Sequence, residues 1–247
     1  FSNNRDEDDN GYVDDICGWD FHEDDNNPYD RIRFGHGTGE AILSVGTINN
    51  GTGSAGVCGR CSFIPLRVDD SFVVDSNKFA AAVEYAVTMN VQVIQQALGG
   101  LNWTPAAVHA INRAYDHNVV IIGTAADETS YHHNFPSTID PVIYTNAIRY
   151  DSQNIGQAST FVNFNNCSNY GARVDVATPG VACSSEATGV LAGATALAMS
   201  YARALGRNFN AGQMISRVKM SATDIDLGDA TENETRYSTF AGWDTMT

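Results

Sequence analysis

Long apolar runs are missing from this sequence, and basic residues are scarce in it. No stretch approaches the roughly 20 apolar residues that a membrane-spanning helix needs, so we expect no membrane span. The 247 residues include 14 lysines and arginines against 29 aspartates and glutamates, a formal net charge of −15 at pH 7. Because an acidic surface repels phosphate groups, this balance argues against nucleic acid as a partner.

Cysteine is also rare, and its number is odd. The five cysteines are Cys17, Cys58, Cys61, Cys167 and Cys183, so one thiol stays free or pairs outside the chain. The Cys58–Cys61 spacing could indicate a redox or zinc motif, but no second pair and no neighbouring histidine accompany it. We therefore interpret these two residues as part of a turn before a buried strand.

Targeting signals are absent as well. The sequence has no signal-peptide pattern and no initiating methionine, so we expect it to be a piece of a longer protein. Four Asn-X-Ser/Thr sites, at Asn50, Asn102, Asn166 and Asn233, weakly favour a secreted or extracytoplasmic protein and leave the compartment open.

What the sequence does contain is an alternation of apolar and amphipathic segments. Apolar runs bounded by polar turns indicate buried parallel strands at 62–68, 91–98, 119–126, 141–148 and 173–177. Helical patterns occupy 76–89, 104–117, 190–205 and 213–221, and Thr104 with Pro105 suits a helix start. This order predicts one α/β domain over residues 1–247, with a doubly wound, mostly parallel sheet and helices on both faces.

Several motifs follow one another along the chain in a recognisable order. They are Gly35-His36-Gly37-Thr38-Gly39, Val93–Gly100 ending in Leu98-Gly99-Gly100, Tyr170 through Val176–Val181, Cys183–Gly193, Met220–Asp224 and Ala241-Gly242-Trp243. Together they resemble the motifs of the subtilisin-like serine proteases, the subtilase family. The resemblance implies that His36 is the general base, that Ser185 is the nucleophile, and that Leu98, Gly99 and Gly100 line the substrate groove. Ser184 is an alternative nucleophile if the alignment shifts by one residue.

The chain departs from this family where catalysis is most demanding. No aspartate is followed by serine or threonine and glycine, so the catalytic aspartate and the first core strand that carries it are missing from residues 1–247. Asp127 stands where the family has an asparagine that donates to the oxyanion. An ionised carboxylate there opposes a developing negative charge, whereas a neutral one could still donate, as in some proprotein-convertase relatives that carry aspartate there, so this change alone is not decisive. Gly39, Cys183 and Gly189 replace a histidine, a glycine and a proline of the family motifs.

These departures predict a catalytically inactive pseudoprotease that serves as a scaffold or binding module for a protein or peptide. Two alternatives remain open. In one, a separate upstream fragment supplies the aspartate to an active serine endopeptidase. In the other, the domain holds peptides by adding a strand to the groove at Leu98–Gly100.

An acidic loop near the start of the chain has chemistry of its own. Oxygen ligands alternate at Asp6, Asp8 and Asn10, with the Tyr12 carbonyl and Asp15 beyond a turn at Gly11. The loop resembles a calcium site of many subtilases, and hard cations prefer such oxygen ligands. We expect structural calcium here.

Overall fold

The protein is described by a computed structural model over residues 3–30, 35–70, 72–128, 130, 134–148, 168–169, 173–179 and 183–222. Its strands are β1 (Trp19–Asp20), β2 (Leu66–Arg67), β3 (Val93–Gln96), β4 (Val120–Thr124), β5 (Ile143–Ile148) and β6 (Val176–Pro179). Its helices are α1 (His36–Val45), α2 (Ser76–Thr88), α3 (Pro105–Asp116), α4 (Ser184–Ala204) and α5 (Ala211–Ser221). Among these residues no helix is both long enough and apolar enough to span a membrane. Tyr170, Cys167 and the motif at 241–243 lie outside them.

The main sheet has four parallel strands in the order β3-β4-β5-β6. Val93 pairs with Val120, Ile122 with Ile143, and Thr145 with Val176. Each strand follows its predecessor through a crossover, and helices cover both faces. One apolar cluster joins the sheet to α2 and α3, and a second joins it to α4 and α5. The parallel α/β arrangement that the sequence predicts is therefore confirmed, although the strand boundaries differ by several residues.

The predicted strand at 62–68 is largely wrong. Only Leu66 and Arg67 form β2, which pairs in parallel with β1 in a separate two-stranded sheet. Pro65 precedes β2 and has no N–H for a ladder. The opposite edge of β2 has no ladder partner within the described residues, which leaves the apolar run without the pairing that makes a longer strand.

Side-chain capping marks the starts of α3 and α5. Thr104 accepts a hydrogen bond from the Ala107 amide at 3.3 Å, with Pro105 in the first turn, as predicted. Asn210 and Gln213 form a capping box at α5. The helix expected at 190–205 begins six residues earlier, at Ser184. The sequence pattern did not reveal this start, because the first turn is polar and carries no apolar periodicity.

The cysteines within the described residues are either disulfide-bonded or free. Cys58 and Cys61 are joined in a disulfide, which the sequence interpretation of a simple turn missed. Cys183 is disulfide-bonded as well. The odd thiol is Cys17, which is exposed and free.

Candidate functional site

Two adjacent serines open α4 beside the ends of β3 and β4. Ser185 is buried, and its hydroxyl donates to the carbonyl oxygen of Ala97 at 3.3 Å. Ser184 is wholly buried, and its Oγ lies 2.6 Å from the Thr124 hydroxyl and 2.6 Å from Asp127 Oδ1. Ser184 is therefore held in an internal network, whereas Ser185 contacts the strand segment that leads into Leu98–Gly100.

Asp127 follows β4 and points its carboxylate at the start of α4. Its Oδ1 accepts from the Ser184 amide at 2.9 Å as well as from the Ser184 hydroxyl. The preceding residue, Ala126, has a φ of 66°, a left-handed conformation that costs a non-glycine residue about 1–2 kcal/mol. Burial raises the pKa of Asp127, while the hydrogen bonds from Ser184 and the nearby His36 act to lower it. The carboxylate is thus an acceptor at the position where the family motif places a donor.

His36 is the first residue of α1, and the buried acid Glu40 lies one turn further along the helix. The Nε2 atom of His36 is 3.8 Å from Oε1 of Glu40, and the two side chains are 38% and 10% exposed. Oε2 of Glu40 is buried and has no hydrogen-bond partner in the part of the chain that the structure describes. Burial, followed by the charges of Glu186 and Asp127, raises the pKa of Glu40 to about 7. Within the described residues no hydrogen bond joins His36 to Ser185.

Close packing of α1 against α4 holds Glu40 in this place. A Cβ added to Gly189 would lie 2.8 Å from the Glu40 carbonyl oxygen, and one added to Gly193 would lie 2.8 Å from the Ser44 carbonyl oxygen. Real Cβ atoms do not approach backbone oxygens this closely, so both positions need glycine. Gly189, which departs from the family proline, therefore has a packing role in this chain.

The groove residues Leu98, Gly99 and Gly100 follow β3, but part of their backbone is already paired. The Gly99 carbonyl accepts from the Val73 amide at 2.9 Å, and Gly100 exchanges two hydrogen bonds with Phe135, at 2.8 and 3.1 Å. The expected addition of a peptide strand along Leu98–Gly100 would have to compete with these bonds. This edge is a poorer peptide site than the sequence suggests.

A cavity lies between the two sheets. A cavity of about 620 Å³ separates β2 from β3 and reaches His36 and Glu40 at one end. Mostly apolar side chains line it, together with Gln96. The side-chain amide nitrogen and oxygen of Gln96 are both buried, and neither has a hydrogen-bond partner among the residues described above. The facing edges of β2 and β3 lack a ladder partner among the described residues. The cavity therefore offers unsatisfied polar groups at the place where a strand would complete one continuous sheet.

The acidic loop is brought together by its own hydrogen bonds. The Asp6 carboxylate accepts from the backbone amides of Asn10 and Gly11. The side-chain nitrogen Nδ2 of Asn10 donates to Asp8 at 3.2 Å and to Asp15 at 2.8 Å. Burial and the charge of Asp15 raise the pKa of Asp8.

In this arrangement the side chains of the loop do not surround a cation site. Among the described residues no group of three or more acidic, histidine or cysteine side chains is placed to hold a metal ion. For calcium to enter, the donor nitrogen of Asn10 would have to leave the space between Asp8 and Asp15. The Tyr12 side chain packs on Trp19, Phe21 and Tyr85. Asp15 accepts from the Tyr85 hydroxyl at 2.7 Å, so the loop is fixed to α2.

The structure thus assembles one end of α1, the start of α4 and the end of β4 into one site. His36, Ser185 and Asp127 are the residues that the sequence predicts there. Glu40 is the member that sequence reasoning missed. Its signal was a carboxylic acid four residues after His36, the spacing that places two side chains on one helix face.

Comparison with known proteins agrees with this geometry. The model of the Subtilase family matches residues 1–237. Thermitase of Thermoactinomyces vulgaris is 33% identical over 168 residues, which are 67% of this chain and 55% of that protein. A thermophilic serine proteinase of a Bacillus strain is 30% identical over 175 residues, 70% of this chain and 41% of that protein. The chain spans about half the length of these curated relatives.

Solved structures show the same fold. The prenylagaramide maturation protease PagA superposes with a TM-score of 0.64 at 21% identity, over 76% of this chain and 73% of that one. Fervidolysin from Fervidobacterium pennivorans has a TM-score of 0.64 at 17% identity, over 76% of this chain and 32% of that one. At these identities the likeness concerns the fold alone.

Proposed function

Since the chain belongs to the subtilase family, we propose that it is a subtilase domain that does not hydrolyse peptide bonds and serves as a binding module. The observation that carries the first half is the position of Asp127, whose carboxylate accepts both the amide and the hydroxyl hydrogen of Ser184. An acid that accepts hydrogen bonds in this position offers the forming oxyanion an acceptor instead of a donor.

The loss of an oxyanion donor slows catalysis by orders of magnitude. Removing a single oxyanion donor typically costs about 3–4 kcal/mol in kcat, and a carboxylate adds a like charge to the loss. Glu186 and Asp127 both lie close enough to Glu40 to raise its pKa, so acidic groups are concentrated at this site. The site therefore disfavours the negative tetrahedral intermediate that peptide hydrolysis requires.

The cavity between β2 and β3 supports the second half of the proposal. We expect its occupant to be an extended polypeptide strand from outside residues 1–247. Such a strand would pair with both open edges, as in other cases of strand addition, and its side chains would meet the apolar lining. Each unpaired buried polar group costs about 1–3 kcal/mol, so satisfying the Gln96 amide would add to the binding energy.

One observation favours a second candidate, an active endopeptidase. The same cavity reaches His36, so an inserted strand could bring a catalytic aspartate to the base from a separate fragment. In that case the assembled protein would cleave peptides and residues 1–247 alone would not.

The experiment that separates the two uses a fluorophosphonate probe on the protein in its native assembly, beside a fluorogenic peptide substrate. The proposal expects neither labelling of Ser185 nor cleavage. Labelling that disappears in Ser185→Ala, together with peptide turnover, would instead establish the endopeptidase. Hydrogen exchange on the same samples should show β2 and β3 protected in the assembly and exposed in residues 1–247 alone, if a strand fills the cavity.

We also propose a location outside the cytoplasm. The disulfide between Cys58 and Cys61 supports it, because such bonds persist mainly in oxidising compartments. Cell fractionation with a thiol-reactive label is the test, and reduced Cys58 and Cys61 in a cytoplasmic fraction would contradict this location.

A further inference from the structure

Asparagine followed directly by glycine occurs twice in this chain, at Asn10-Gly11 and at Asn50-Gly51. Such a pair is open to a reaction of the chain with itself, in which the glycine nitrogen attacks the side-chain carbonyl carbon of the asparagine. Glycine favours this step because it has no Cβ to hinder the approach and because its backbone adopts a wide range of conformations. The two pairs have the same sequence, so a difference in reactivity between them has to come from their surroundings in the fold.

The surroundings of Asn50 leave the reacting groups open. Asn50, Gly51 and Thr52 are all exposed, in the loop that follows α1. Among the described residues, the backbone nitrogen of Gly51 and the side-chain nitrogen of Asn50 have no hydrogen-bond partner, and a Cβ added to Gly51 would meet nothing within 4 Å. The Thr52 amide donates to Oδ1 of Asn50 at 3.1 Å. This bond draws electrons from the side-chain carbonyl carbon, which makes that carbon easier to attack.

The surroundings of Asn10 hold the same groups in place. The Gly11 amide donates to the carboxylate of Asp6 at 2.7 Å, so the nitrogen that would attack keeps its proton and faces an acid. The side-chain nitrogen of Asn10, which would have to leave, donates to Asp8 and to Asp15. Hydrogen bonds to carboxylates are among the stronger ones. Three acids therefore oppose at Asn10 the reaction that nothing opposes at Asn50.

From this contrast we propose that Asn50 is a site of spontaneous deamidation in the folded protein, and that Asn10 is protected from it. The Gly51 nitrogen gives up its proton to solvent as it bonds to Cγ of Asn50. The Cγ–Nδ2 bond then breaks, and the side-chain nitrogen takes up a proton and leaves as ammonia. Water opens the cyclic imide at either of its carbonyl carbons, which yields aspartate or isoaspartate at position 50. The reaction consumes one water molecule and involves no oxidation or reduction.

This modification is independent of the proposed function, and the fold limits how far its effect spreads. At the base of the loop the Gly56 amide donates to the Gly46 carbonyl oxygen at 2.9 Å, and the Val57 amide donates to the Leu43 carbonyl oxygen at 3.0 Å. These bonds lie outside residues 47–55. We therefore expect a carboxylate at position 50 to add a negative charge to the loop and to leave α1 in place.

The experiment follows both sites in one sample of the folded protein. The protein is incubated at neutral pH in heavy-oxygen water, with chelator so that calcium does not occupy the acidic loop. Mass spectrometry of its peptides then detects the replacement of NH₂ by OH, and the heavy oxygen marks the events that occur during the incubation. We expect the rate constant at Asn50 to exceed that at Asn10 about 10-fold or more, because the reaction at Asn10 has to break hydrogen bonds to carboxylates.

Two controls test whether these contacts cause the difference. In urea the contacts are lost, so the rates at the two sites should approach each other in the same chain. Asp6→Ala frees the Gly11 amide and should raise the rate at Asn10 alone. Glu7→Ala is the matched variant, because it removes an acid of the same loop that bonds to Asn3 instead, and it should leave both rates unchanged.

Three results would overturn the proposal. The first is an equal rate at Asn50 and Asn10 in the folded protein, or a faster reaction at Asn10. The second is a ratio of the two rates that does not change when the protein is unfolded. The third is aspartate without isoaspartate at position 50, since opening of the cyclic imide yields both and chromatography separates their peptides.

Discussion

Gly189 of α4 lies against the Glu40 carbonyl oxygen of α1, so closely that a Cβ at position 189 would come within 2.8 Å of it. This contact links a departure from the family motif to the placement of a buried acid beside His36. The two residues belong to segments that are far apart in sequence, and their contact fixes how α1 presents both His36 and Glu40.

Gly189→Ala should therefore destabilise the protein. The clash is with backbone, which cannot move aside as a side chain can, and overpacking of this kind typically costs about 1–3 kcal/mol. Gly39→Ala in α1 is the matched control, because nothing lies within 4 Å of a Cβ there, and it should be neutral or slightly stabilising. Chemical denaturation measures both free energies of unfolding. Equal values for the two variants would contradict the packing role.

Glu40→Gln should change stability in a pH-dependent way. The pKa of Glu40 is raised from 4.5 to about 7 in the folded protein, so its ionised form is the disfavoured one. The parent protein loses no stability to this group below pH 4.5, loses increasingly more as pH rises towards 7, and bears the full cost above it. We expect Glu40→Gln to gain about 2–3 kcal/mol relative to the parent at pH 8 compared with pH 4.5. A difference that is independent of pH would show that Glu40 is not desolvated.

Arg67→Leu should weaken the small sheet beside the cavity. The guanidinium of Arg67 pairs with the wholly buried Asp20 of β1 and with Asp70. Removing one partner of a buried ion pair typically costs about 3–5 kcal/mol. Arg113→Leu breaks a half-exposed pair with Glu84 and should cost less than about 1 kcal/mol. Thermal melts of the two variants give the comparison, and a similar loss in both would argue against a buried role for Arg67.

Calcium in the acidic loop remains a prediction, with Asp6, Asp8, Asn10, Asp15 and the Tyr12 carbonyl as ligands. Binding to the folded protein alone would raise the melting temperature as free calcium increases. The expected result is a higher melting temperature in calcium than in chelator, and loss of this difference in Asp8→Ala. If calcium and chelator give the same melting temperature, the loop is an acidic surface held by its own hydrogen bonds. A difference that survives Asp8→Ala would place the ion elsewhere.

The order of strands and helices could be predicted because it depends on local patterns. Apolar runs identified β3, β4 and β5 in the described sheet, and the Thr104-Pro105 pair identified the start of α3. The apolar run at 62–68 led to a wrong strand prediction, because an apolar segment forms a strand only where a neighbouring strand pairs with it.

The candidate site was partly predictable for a similar reason. Motif spacing located His36, Ser185 and Asp127, but it could not reveal what Asp127 contacts. The hydrogen bonds to Ser184 and the burial of Glu40 depend on how α1, α4 and β4 pack together. From the motif alone, Gly189 counts as a departure from the family pattern. In the structure its lack of a side chain allows α1 and α4 to pack closely.

The central claim is that the carboxylate of Asp127 opposes hydrolysis at this site. The most direct measurement is the mass of the Ser185 peptide after fluorophosphonate treatment of the native assembly, in the parent protein, Asp127→Asn and Asp127→Asn with Ser185→Ala. We expect no adduct in the parent, an adduct on Ser185 in Asp127→Asn, and none when Ser185 is also replaced. An adduct on Ser185 in the parent protein, at the same rate as in Asp127→Asn, would contradict the account.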